Sequence, residues 1–167
     1  MARIVGAAMA ALLLSAAAAG GPGLPERVTR ALLGEFPRAE IVRFGPEGAS
    51  GVLVYVIEFQ DAGAERACDI TADGTILAVS VVVATDEVPP AALATIREAS
   101  AGANAAIWRI KRMEVRATPN DGKVVSLEQK VTRYEAEFRR IALWNEVVVA
   151  EDGTIVERIR WYRAGGE

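Results

Sequence analysis

The sequence predicts an α+β protein of two tandem repeats, each one helix packed on a four-stranded antiparallel sheet. Three observations carry this. Two motifs recur at one offset of 79 residues: Tyr55-Val56-Ile57-Glu58-Phe59 answers to Tyr134-Glu135-Ala136-Glu137-Phe138, and Asp73-Gly74-Thr75-Ile76 to Asp152-Gly153-Thr154-Ile155. Each half opens on proline before a helical pattern, at Leu24-Pro25-Glu26-Arg27-Val28 and at Val88-Pro89-Pro90-Ala91-Ala92-Leu93. After each helix, apolar and polar residues alternate with the period of a half-buried strand.

The N-terminal segment reads as processing rather than fold. Arg3 is the only charge before Glu26, and the apolar run from Ile4 to Ala19 spans 16 residues, against the roughly 20 strongly apolar ones a membrane span needs. Ala17 and Ala19 fit positions −3 and −1 of a cleavage site. Residues 1–19 are therefore expected to be a signal peptide and 20–23 a leader. The expected product is periplasmic or secreted, without stable membrane insertion. The remaining segments are a first repeat at 24–83, a linker at 84–87, a second repeat at 88–163 and a tail at 164–167.

In the first repeat, Pro25 suits a helix start because its missing N–H would have no partner there. Val28, Ala31, Leu32 and Phe36 share one face, and Phe36-Pro37 ends the helix. Strands follow near 39–45, 51–60, 65–71 and 75–83, the second placing Leu53, Tyr55, Ile57 and Phe59 on one side. Asp73-Gly74 predicts a tight turn with positive φ at both positions. The second repeat has a helix near 89–100, with Gly102 as a left-handed cap. Its strands lie near 106–116, 130–140, 142–150 and 154–163. Thr118 to Lys123 forms a longer loop or protruding hairpin.

Composition narrows the chemistry. The chain has 167 residues, 51% hydrophobic and 25% charged, with no His and one Cys. No imidazole acid or base, His-dependent nucleophile or HExxH zinc site can be built from it, nor an intrachain disulfide. Without Arg3 it carries 18 basic and 22 acidic residues, which argues against nucleic acid as a partner. Cys68 shares strand parity with Ile70 and is expected to be buried.

Asp69, Thr71, Asp73 and Gly74 match the first half of a calcium loop, but Ser80 stands where the bidentate Glu belongs, so a hairpin turn is the better reading. Glu58 and Glu137 are opposite in parity to Tyr55 and Tyr134 and are expected to face solvent. They therefore make no converging acid/base pair. No phosphate-cradling glycine loop is present. No catalytic residue, cofactor or metal is expected.

The Pro-headed helix, the Tyr-x-x-Glu-Phe strand and the closing Asp-Gly hairpin, present twice behind a signal peptide, resemble the PepSY-like proteins, which are grouped with the β-lactamase-inhibitory-protein fold. The resemblance covers about 24–163 and rests on structural signatures. It implies an exported, non-enzymatic protein whose sheet surface binds another protein, inhibition of a hydrolase being one form of this. The chain departs in having no disulfide pair, in the long hairpin near Asn120 and in a more charged second tyrosine strand.

Charge divides the halves: 5 basic and 9 acidic residues in 24–83, 13 basic and 10 acidic in 88–163. Alternation puts Arg133 and Arg139 on the polar side of one strand, Trp144 on that of the next, and Arg158, Arg160 and Tyr162 on that of the last. Trp, Tyr and Arg dominate interface hot spots, so these six are the expected partner-binding residues. Val52, Val54 and Val56 form an apolar stripe on the outward side of the first half. This stripe supports the alternative of an envelope structural or assembly factor acting through self-association as a homodimer.

Overall fold

The computed structural model describes residues 23–141, 143–158 and 162–163; the expected signal peptide, Arg160 and the tail lie outside them. Helix α1 (Glu26–Glu35) is followed by β1 (Glu40–Ala49), β2 (Val52–Asp61), β3 (Ala64–Thr71) and β4 (Ile76–Val83). A 3-10 turn (Thr85–Glu87) leads into α2 (Pro90–Ala103), and then come β5 (Ala106–Asn120), β6 (Lys123–Arg140), β7 (Leu143–Ala150), β8 (Ile155–Arg158) and β9 (Tyr162–Arg163).

The expectation of two four-stranded sheets, each with its own helix, is overturned. All strands belong to one antiparallel sheet in sequence order from β1 to β8, with β9 also pairing to β7. The join is β4 against β5, from Ala78 opposite Val115 to Val83 opposite Ile110. Its cause is legible in β4, Ile-Leu-Ala-Val-Ser-Val-Val-Val, which is apolar on both faces. Such a strand is unfavourable as an open edge and takes a neighbour on each side.

Both helices pack on the same face of this sheet. Val28 and Leu32 of α1 meet Ile57, Phe59, Cys68, Ile70 and Val79. Ala92 and Ile96 of α2 meet Ile110, Tyr134, Ala136, Phe138, Val147 and Val149. Cys68 is fully buried, as its parity predicted.

Pro25 caps α1 and Pro90 occupies the first turn of α2. Gly102 stays helical, and Asn104 takes the left-handed position instead (φ 48°, ψ 49°). At the Asp73-Gly74 turn only Gly74 has positive φ. Gly74 donates to the Thr71 carbonyl at 2.9 Å and Thr71 to the Thr75 carbonyl at 2.9 Å. The loop is thus a type I turn closed by a glycine bulge, one residue longer than expected. Asp121-Gly122 has positive φ at both positions and joins Asn120 directly to Lys123, so the expected loop is the end of a long hairpin.

Candidate functional site: the concave face

The face opposite the helices is curved inward. Between β2 and β5 lie three inter-strand spacings, about 14 Å in a flat sheet. Yet the Gly122 N–H donates to the Ser50 carbonyl at 2.7 Å, tip to tip between the β1–β2 and β5–β6 hairpins. Val54, the middle of the supposedly open valine stripe, is 2% exposed against Ala49, Leu77 and Ala117. The bare stripe is therefore corrected: sheet curvature covers it.

Curvature also changes the fate of Glu58 and Glu137. They do sit away from the helices, but they are 8% and 4% exposed rather than solvated. A buried carboxylate needs a cation or a hydrogen bond, and each has one. Arg43 on β1 donates from Nε at 2.5 Å and Nη2 at 2.6 Å to the two oxygens of Glu58. Arg109 on β5 reaches across to Glu58 at 3.2 Å, pairs with Glu65 on β3, and meets Glu137 at 2.8 Å. Lys111 lies 2.6 Å from Glu137 and 2.8 Å from Glu135. Signs alternate along Arg43, Glu58, Arg109, Glu137, Lys111 and Glu135, a ladder from the first strand to the sixth.

The ladder sets the protonation states. Burial pushes the Glu58 carboxyl up, but the Arg43 hydrogen bonds together with the charges of Arg43, Arg109 and Lys111 outweigh it and hold the group below its ordinary value. Burial acts likewise on Glu137, where Lys111 and Arg109 outweigh it. Burial would discharge Lys111, and Glu135 with Glu137 overcomes this, raising its pKa.

Beside the ladder the balance reverses. Asp69, in a narrow cleft with Lys111, Met113 and Glu135, is pushed up to about 7 by burial and then by Glu135. Glu47 is pushed up to about 7 by burial and by Asp69, Glu135 and Glu157. Glu135, Glu137 and Glu146 bring carboxylate oxygens within 4.8 Å of one another, a spacing that a metal could bridge. Lys111 already supplies the cation between Glu135 and Glu137, so this trio needs no ion to explain it.

One end of the face is aromatic. Trp108 and Trp144 meet edge to face at 5.9 Å, and the Arg139 guanidinium lies 5.3 and 5.5 Å from their ring centres. Trp108 is 54% exposed. It occupies the extra position of a bulge between Ile107 and Arg109, which explains how it escapes the alternation of its strand.

The expected partner-binding residues separate. Trp144 and Arg139 are brought together, and Tyr162 pairs with Trp144 through the backbone. Arg133 is on the same face but 6% exposed. Arg158 is in register with Val147, a core residue on the helix side, because a bulge near Val149 shifts the register of β8. Sequence reasoning missed Trp108 and the ladder. The signal for the ladder was Arg109 and Lys111 spaced two apart, as are Glu135 and Glu137, so that one register pairs both.

Among the described residues no helix is long and apolar enough to cross a membrane. No family model and no curated protein matches the sequence. The fold does have relatives among solved structures. A BLIP-like protein from Bacteroides fragilis matches over 83% of this chain and 87% of its own, with 18% identity and a TM-score of 0.52. A candidate periplasmic protein from Bacteroides eggerthii matches over 82% and 88%, with 14% identity and a TM-score of 0.56. A DUF2874 family protein from Bacteroides uniformis matches over 84% and 90%, with 16% identity and a TM-score of 0.53. The chain thus has a BLIP-like fold.

Proposed function

We propose that this is an exported, non-catalytic binding module that takes a loop of another protein onto its concave face, with PepSY-like kinship as part of that reading. The observation that carries it is the Trp108–Arg139–Trp144 cluster, half-exposed aromatic surface at the end of a face whose charges are held rigidly. Stacked Trp and Arg side chains give large contact area at low entropic cost. The paired ladder spares a partner the cost of ordering long charged side chains. Inhibition of a hydrolase is one form such binding takes, and the BLIP-like neighbour supports it by fold alone.

The test is capture of cross-linked partners from the envelope and culture fluid of the parent organism, with wild type beside Trp108→Ala/Trp144→Ala. One protein retained by wild type and lost by the variant is the expected result. Equal capture by both overturns the choice of face. Recovery of only the protein itself favours the second reading, self-association. That reading draws on the exposed Ile41, Val42 and Phe44 of edge strand β1.

A further inference from the structure

We propose that Arg133 is an anion receptor on the concave face, taking the carboxylate of an Asp or Glu side chain presented by the protein partner. The inference rests on the reading of this face as a protein-binding surface and adds the chemistry of the partner. Arg133 stands on β6 between Met113 of β5 and Ala150 of β7. It is 6% exposed, and its Nε is sealed from solvent without a hydrogen-bond partner.

Three other cations of this face are paired with carboxylates. Arg43, Arg109 and Lys111 each lie within ion-pair distance of a carboxylate. Arg133 has only the through-space attraction of Glu157, which burial outweighs, so its affinity for the proton falls. Its floor is apolar: Met113 opposite packs with Ala78, Val115 and Leu127. A methionine at 133 would bury the same stem without the desolvation cost of a charge. Packing therefore does not account for the guanidinium, whereas an incoming carboxylate would. A charge already stripped of water binds an opposite charge more strongly than a solvated one. With Nε sealed, the terminal nitrogens are the donors left for that carboxylate. Glu157 already acts on Arg133, and Asp69 and Glu135 line the neighbouring cleft beside Met113, which restricts the ligand to a single carboxylate docked at Arg133 rather than an acidic run along the groove.

The experiment is NMR of the arginine Nε–H resonances, assigned by Arg133→Lys, during titration with an Ala-Ala-Glu-Ala-Ala peptide blocked at both ends. The matching lysine peptide and inorganic phosphate serve as comparisons. The Glu peptide is expected to shift the Arg133 resonance saturably and the Lys peptide to leave it in place. Arg133→Met is expected to weaken the Glu peptide by about tenfold or more, with a melting temperature equal to or above wild type. No shift with the Glu peptide overturns the proposal. So does an equal response to phosphate, which would mark a site for any anion, and so does retained peptide binding in Arg133→Met. If Arg133→Met fails to fold, Arg133→Lys decides: unchanged peptide affinity there overturns the role of the planar fork. Trp108→Ala/Trp144→Ala leaves the peptide titration unaltered, so loss of partner capture and loss of carboxylate binding are separable failures.

Discussion

Replacing Lys111 by methionine should turn the ladder from a stabilising device into a pH-dependent liability. Lys111 sits 2.6 Å from Glu137 and 2.8 Å from Glu135. Removing it leaves the Glu135, Glu137 and Glu146 oxygens within 4.8 Å of one another without that cation. Two carboxylates at such a distance repel by about 3 kcal/mol at an effective dielectric near 20. Breaking a buried pair by removing one partner costs about 3–5 kcal/mol. Both routes give the same size of loss at pH 8, equivalent to a fall in melting temperature of about 6–20 °C for a domain of this length.

The pH dependence is more diagnostic than the loss. In wild type the Glu137 carboxyl lies below its ordinary value. Its contribution is present above the ordinary carboxylate range and is lost as pH falls through the lowered value. In Lys111→Met the crowded carboxylates of Glu135, Glu137 and Glu146 repel one another when charged, so protonation stabilises the fold and that stabilisation disappears as pH rises. The deficit should therefore grow from pH 5 to pH 8. Urea unfolding followed by tryptophan fluorescence at both pH values measures it. A deficit below about 1 kcal/mol, the scale of a surface pair, or one equal at the two pH values, would refute the view that Lys111 is the keystone of a buried network.

Asp69→Asn should stabilise the protein above pH 7. The wild-type carboxyl, pushed up to about 7 by burial, prefers its proton in the folded state, so stability attributable to it falls between about pH 4 and 7. The gain from Asn should vanish near pH 4, as read from urea midpoints across that range. Gly153→Ala should cost about 2–4 kcal/mol, because φ is +86° and the new Cβ would lie 2.8 Å from the Ala91 carbonyl oxygen of α2. Gly63→Ala, at φ +80° with nothing within 4 Å, should cost only about 1 kcal/mol by the same denaturation assay. Cys68, buried and with its thiol pushed up by desolvation, should resist iodoacetamide until denaturant is added, as mass spectrometry of the labelled chain would show.

The helix and strand positions, the buried Cys68 and the inward Ile57, Phe59, Tyr134 and Phe138 were legible because period and parity are local properties. Register and curvature are not. The sequence placed Glu58 and Glu137 on the face away from the helices, but their burial follows from the bending of the sheet until Arg109 reaches Glu58. Single-residue bulges likewise escaped the alternation rule. One lifts Trp108 out of its strand pattern and another shifts Arg158 into line with Val147. The union of the halves into one sheet was written in β4, whose valines suit two neighbours. Choosing β5 as the second neighbour required the 84–105 connection to carry α2 over the sheet and return.

The pairing of β1 to β8 in sequence order has a bearing on how the protein comes into being. Apart from β4 and β5, which α2 separates, neighbouring strands of this order meet a short distance along the chain, the kind of contact that closes early. The Arg109–Glu58 bridge, across 51 residues, and the meeting of Ser50 with Gly122 need both halves in place. The concave face is thus the last region to acquire its shape. On a chain that folds as it is delivered from its N-terminus, β2 would wait for β5 before the cleft between them could close.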